Sequence, residues 1–304
     1  MTFNILQGGG EAANVGFPNA AFGGSRIDEL ASVIHLADAD IVGVQENCRD
    51  DRLLVALGPH WSRVGSIYST RPLEPVETSA FLTVARLKLA NGRRVTIVNC
   101  HWFPPRGGYG PDIVQAEMRK SSPIDSDIVA KNARENCAIP NGPRGYNATL
   151  KPIRDSIANG DHVILTGDFN EPSHLDWTKT YSQSGRDRWV RNPTEMPLRF
   201  AIDWPGSKAL ADLGLVDAWR AVYPDEVQRP GNTWTPPYPT STPGRRDYGD
   251  QCLDRIDRIY YFGSTITTVS AAVVGEHRDT ADIVFPSQWP SDHRAVVAEF
   301  GFAE

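Results

Sequence analysis

Residues 163–172 read VILTGDFNEP. Val163, Ile164 and Leu165 form a short apolar run that ends at a glycine, which is the mark of a buried strand. The strand then ends in a carboxylate, Asp168, and an amide, Asn170. These are i and i+2, so in extended backbone both point to the same side. Two oxygen-bearing side chains at a strand's carboxyl end suit a hard cation or a phosphate. Gly, Asp and Asn are equally the ordinary residues of a turn, so the neighbouring strands have to decide.

They repeat the pattern. Residues 1–7 read as a strand that runs into Gly8-Gly9-Gly10, with Asn4 near its end. DIVGVQEN (40–47) carries Ile41, Val42 and Val44 and ends in Gln45-Glu46-Asn47. RVTIVNCHW (94–102) alternates and then reaches His101; RIDRIYYF (255–262) sets Asp257 among apolar and aromatic residues. RAVVAEF (294–300) follows Ser291-Asp292-His293. A single polar residue at a strand end is usually just solvated, and Asp257 alone could be an ion-pair partner of Arg255 or Arg258. Sheets that bind ligands at strand ends nevertheless bring such residues together. Together, Asn4, Glu46, His101, Asp168, Asn170, Asp257, Asp292 and His293 supply oxygen ligands, imidazoles for proton transfer and amide donors for a phosphoryl oxygen.

TFNIL, GVQEN, NCHW, GDFN, DRIDRI and SDH, in this order over nearly the whole chain, resemble the endonuclease/exonuclease/phosphatase superfamily, the family of DNase I and exonuclease III. The resemblance implies an α/β fold, a DNase I-like four-layer α/β/β/α sandwich with two mixed sheets. It implies one domain over residues 1–304 and a metal-dependent phosphoesterase. By the same resemblance, Glu46, Asn4 and Asp292 hold the metal, expected to be Mg²⁺ with Mn²⁺ or another divalent cation possible. Asp168 and Asn170 hold the attacking water and the scissile phosphate. His293 is similar to the catalytic histidine, with Asp257 orienting it. His101 matches a second histidine found in the DNase I-like and phosphatase branches.

The rest of the chain narrows the substrate. The formal net charge of -6 argues against a surface that binds polyanions everywhere, though a local basic groove remains compatible with it. Arg93-Arg94 and Arg245-Arg246 are isolated pairs, without the interleaved aromatics of a nucleic-acid surface. HWFPPRGGYGP (101–111) adds Trp102, Arg106 and Tyr109 beside His101, a mixture suited to a compact anionic ligand, or to a loop packed on its own aromatics. A small or soluble phosphate ester is therefore expected as substrate. A sugar-nonspecific DNase I-like endonuclease is the alternative, and a non-catalytic binding module that kept the fold is the alternative of another class. That last reading predicts loss of Glu46, Asp168, Asn170 or His293, and none is lost.

Four cysteines, Cys48, Cys100, Cys137 and Cys252, have no CxxC spacing, which disfavours a zinc knuckle. No apolar run approaches the roughly 18 residues of a membrane span. The start, MTFNILQGGG, lacks a basic and then apolar leader, which points to a cytoplasmic protein unless a signal was removed. A monomer is expected. Ser25–Asp28 has a capping-box pattern ahead of helical spacing at Ile27, Leu30, Ala31, Ile34 and His35. Long loops are expected near 104–150 and 224–250, the first holding a helix near 126–137 and a second helix from about 148.

Overall fold

A computed structural model describes residues 1–10, 24–48, 50–104, 110–120, 122–188, 197–234 and 253–303. The strands are β1 (Thr2–Asn4), β2 (Ile41–Gln45), β3 (Ser62–Val64), β4 (Ile67–Ser69), β5 (Glu74–Thr78), β6 (Leu82–Lys88) and β7 (Arg94–His101), followed by β8 (His162–Asp168), β9 (Val216–Asp217), β10 (Asp257–Phe262), β11 (Ile266–Gly275), β12 (Ile283–Val284) and β13 (Ala295–Phe302). They form a seven-stranded sheet in the order β12-β11-β13-β1-β2-β4-β3 and a six-stranded sheet in the order β5-β6-β7-β8-β10-β9. Both are mixed: β1 and β2 run parallel in the first, β7 and β8 in the second, and most other pairs are antiparallel. The expected two-sheet α/β sandwich is present.

Side-chain alternation sets the layers. On β7, Val98 and Cys100 face outward onto helix α5 (Tyr146–Ala158), while Val95 and Ile97 face the other sheet. On β8, Val163 and Leu165 point outward and Ile164 inward. On β1 and β2, Phe3, Val42 and Val44 pack outward against α1 (Ile27–Leu36) and α2 (Arg52–Leu57). By parity, Asn4, Gln45, Asn99, His101, Thr166, Asp168 and Asp257 all face the gap between the sheets.

The gap is partly polar. Gln45 Nε2 donates to Asn99 Oδ1 (2.7 Å) and Thr2 Oγ1 (3.0 Å), and Thr166 Oγ1 donates to the same Asn99 oxygen at 3.0 Å. Asn99 Nδ2 donates to the Val44 carbonyl (2.9 Å) and Ser66 Oγ (2.8 Å). This seam admits no side chain at Gly43, where a β-carbon would lie 2.1 Å from Thr166 Oγ1 and 2.4 Å from Asn99 Oδ1. Gly43→Ala is expected to lower stability by about 1–3 kcal/mol, the usual penalty for overpacking, as a drop in the urea midpoint at unchanged slope. An unchanged midpoint would mean the sheets can part there freely.

Several expectations change. β1 ends at Asn4, and Leu6–Gly10 makes a left-handed turn with φ of 50°, 51°, 64°, 67° and 90°. The capping box does not form: α1 starts after Arg26, whose side chain makes no cap hydrogen bond, and His35 is exposed. Residues 104–150 hold a further helix, α3 (Gly110–Met118), entered through Gly-Pro and buried through Ile113, Val114 and Met118. Next come α4 (Ser126–Cys137), capped by Asp125, and α5, which starts at Tyr146. The remaining helices are α6 (Lys179–Gln183), α7 (Pro205–Asp212) and α8 (Ala218–Val222). Cys48, Cys100 and Cys137 are buried thiols; Cys252 and residues 235–250 lie outside the described residues. No helix among the described residues is long and apolar enough to cross a membrane.

Candidate active site

Strand direction brings seven side chains to one end of the sandwich. Asn4 and Glu46 follow the carboxyl ends of two parallel strands, β1 and β2. Asp292 and His293 enter β13, which pairs antiparallel to β1. In the other sheet His101 and Asp168 end the parallel β7 and β8 side by side. Asp257 starts the antiparallel β10 in register with Asp168.

The contacts cross from sheet to sheet. His293 Nδ1 lies 2.9 Å from Asp257 Oδ2, and its Nε2 lies 3.9 Å from Asp168 Oδ2 and 4.0 Å from Asp292 Oδ1. Asn4 Nδ2 donates to Asp168 Oδ2 at 2.9 Å and, more weakly, to Glu46 Oε1 at 3.4 Å. His101 Nε2 is 3.5 Å from the same Asp168 oxygen. Asp168 Oδ1 accepts the Asn170 backbone N–H at 2.9 Å, so the turn that follows β8 is held by the strand's own last carboxylate.

The two imidazoles are pushed in opposite directions. Burial pushes His101 down to about 4, which keeps it neutral near pH 7. Burial pulls His293 down too, but the carboxylates of Asp257, Asp292 and Asp168 outweigh it and raise it well above the ordinary histidine range. Asp257 Oδ1 is buried and has no hydrogen-bond partner among the described residues, so the carboxylate's charge is directed at His293. Neither adjacent arginine competes for it. Arg255 is bound to Asp176 (2.9 Å) and Asp217 (2.8 Å), and Arg258 lies over the Phe169 ring on the sheet's other face.

The residues fit a hard divalent cation. Burial and the neighbouring Asp292 and Asp168 raise Glu46 above the usual carboxylate range, as expected of a crowded anionic cluster that a cation would relieve. Glu46 and Asp292 offer carboxylate oxygens. Asn4 does not: its Oδ1 accepts the Leu6 N–H at 3.0 Å, so its amino group, not its oxygen, faces Glu46 and Asp168. In this structure Asn4, expected as a ligand, bridges two carboxylates through its amino group. Asp168, Asp257 and His293 also place ligand atoms within 4.8 Å of one another, but the short His293–Asp257 bond already occupies that group.

Three residues with positive φ lie here: Gln7 at 51°, Glu46 at 53° and Asn170 at 50°. Such backbone is costly for non-glycine residues and concentrates at functional sites. In this shape the Gln7 N–H donates to Glu46 Oε2 at 2.7 Å.

Trp102 does not line the site. It is 4% exposed, donates to Thr149 Oγ1 at 2.9 Å and stands edge-on to Phe169. The alternation that turns His101 inward turns its neighbour outward. Arg106 and Tyr109 lie outside the described residues. The sequence reading passed over Arg26, a buried side chain that donates to the carbonyls of Leu6 and Pro290, both at 2.5 Å, and so ties the first turn to the Ser-Asp-His loop. It also passed over Arg144, whose setting among Gly, Pro and Asn carries no local signal.

The model of the endonuclease/exonuclease/phosphatase family matches residues 1–293. The chain is similar to an uncharacterized protein of Caenorhabditis elegans, 26% identical over 325 residues that cover 99% of this chain and 90% of that protein. A solved endonuclease/exonuclease/phosphatase from Bacteroides vulgatus is 15% identical, covers 99% of this chain and 97% of its own, and has a TM-score of 0.52. A family protein from Bacteroides thetaiotaomicron is 16% identical, with 99% and 94% covered and a TM-score of 0.51. At that identity these two structures support the fold alone.

Proposed function

Because the chain belongs to the endonuclease/exonuclease/phosphatase family, we propose that this metal-dependent phosphoesterase hydrolyses a small or soluble phosphate ester by in-line attack of water. The observation that carries the reading is the His293–Asp257 bond of 2.9 Å, aimed at Asp168 across the sheet gap. Glu46 and Asp292 would hold a divalent cation, Mg²⁺ being the expected one, which would supply charge neutralisation at the phosphoryl group.

The protein's own groups do the rest. Asp168 is fixed by Asn4 and by the Asn170 backbone, and its remaining lone pairs orient the attacking water. Asn170 Nδ2 donates to the Trp102 carbonyl at 3.1 Å; its second hydrogen is available to a phosphoryl oxygen. His293 Nε2–H, on a ring held by Asp257, protonates the departing oxygen or steadies the phosphoryl oxygens as charge builds. His101, neutral, accepts or donates a hydrogen bond beside Asp168 without adding charge.

The reading predicts turnover of p-nitrophenyl mono- or diesters with Mg²⁺ or Mn²⁺, abolished by EDTA, and little cleavage of plasmid DNA under the same conditions. Faster cleavage of plasmid than of any small ester would move the substrate to nucleic acid. Undiminished hydrolysis in EDTA would remove the metal.

A further inference from the structure

At the rim of this site the Arg144 guanidinium packs against two rings that act as its clamp, its central carbon 4.7 Å from the centre of Phe81 and 5.1 Å from that of Phe103. Its hydrogen bonds run along its edge. Two of its nitrogens are used there: Nε donates to the His101 carbonyl at 3.1 Å and Nη2 to the Trp102 carbonyl at 2.8 Å. The Trp102 carbonyl also receives Asn170 Nδ2, so one oxygen joins Arg144 to the GDFN turn. The third nitrogen, Nη1, has no acceptor among the described residues. The side chain is half-buried, and it interacts electrostatically with Asp168 and Glu46.

We propose that Arg144 is the substrate anchor of this site: its free Nη1 receives an anionic oxygen of the phosphate ester on the side bounded by His101 and Asn170. The inference rests on the phosphoesterase reading above and adds a specificity residue to it. Charge supports it, because a carboxylate-rich site repels an anionic substrate unless a fixed cation meets it. Geometry supports it as well. The two rings and two carbonyls hold the fork in place before substrate arrives, so little side-chain entropy is lost on binding. Phe103, 47% exposed beside a catalytic strand end, is thereby explained as half of the clamp.

Steady-state kinetics on p-nitrophenyl phosphate and bis-p-nitrophenyl phosphate, with inorganic phosphate as inhibitor, test it. Arg144→Gln is expected to raise KM and the phosphate inhibition constant together by about ten- to hundredfold, the loss of one charge-assisted hydrogen bond, with kcat changed less than about threefold. Calorimetric Mg²⁺ affinity should stay the same or tighten, since a cation near Glu46 has gone. An unchanged KM and phosphate inhibition would overturn the proposal. So would a fall in Mg²⁺ affinity in step with KM, which would make Arg144 a structural brace. If Arg144→Gln does not fold, Phe103→Ala must raise KM severalfold by loosening the clamp; no change there also overturns it. If neither ester is hydrolysed by the native protein, the phosphoesterase reading fails. Calorimetric binding of phosphate with Mg²⁺ then tests the anchor alone: retention of that binding in Arg144→Gln overturns it, and loss upholds it.

Discussion

His293→Ala is expected to lower kcat by about 10²–10⁴-fold, the range of a well-placed general acid or base. Asp257→Asn should fall in the same range, and the double variant should be little slower than the worse single one. The reason is geometric. In the proposed mechanism Asp257 acts on substrate only through His293, which it fixes at 2.9 Å and whose hold on its proton it strengthens, while its other oxygen has no hydrogen-bond partner among the described residues. Once the imidazole is gone the carboxylate has nothing left to orient, so the losses cannot multiply. A double variant whose loss equals the product of the single losses would show the two acting separately. The pair also joins one sheet to the other, so thermal midpoints of all three variants must be read beside the rates to separate chemistry from damage.

Glu46→Gln is expected to abolish turnover at low Mg²⁺, by about three orders of magnitude or more, since a metal contributes several kcal/mol of transition-state charge stabilisation. The fold should survive. The Gln7 N–H that donates to Glu46 Oε2 at 2.7 Å can donate to a carboxamide oxygen as well. The substitution also removes a charge that Asp292 and Asp168 oppose, so the metal-free variant should melt no lower than the native protein. Calorimetry should show weakened Mg²⁺ binding. Native rates in this variant at low Mg²⁺ would take the cation away from Glu46.

The candidate site was legible in the sequence because its polar residues break strand patterning in a repeatable way. Asn4, Glu46, His101, Asp168, Asp257 and His293 each stand where an apolar run should end in solvent, and parity places the strand residues among them in the sheet gap. The direction of a side chain's hydrogen bonds was not legible. Nothing in TFNIL says that the Asn4 oxygen turns back to Leu6, and no one-dimensional signal separates inward His101 from outward Trp102. The strands without polar ends were missed altogether. β11 is a ten-residue β-branched run at the flank of its sheet, and β5 is exposed throughout. Arg144 was invisible because its role depends on Phe81 and Phe103, which come from a different part of the chain.

The polar seam around Asn99 has a consequence for how such a protein can drift. A greasy interface between two sheets tolerates a small slip, because one methyl is as good a neighbour as another. An interface of directed bonds, with Gln45, Thr166 and the Val44 carbonyl all meeting Asn99, has one setting, as a vernier does. The reacting groups are divided between the two sheets, so this setting fixes their separation as well. Replacing Asn99 by an apolar residue of similar size takes an acceptor from Gln45 and Thr166 and a donor from the Val44 carbonyl, so stability and the alignment of the two sheets fall together. The seam is therefore held in place by selection for stability as well as by selection for turnover.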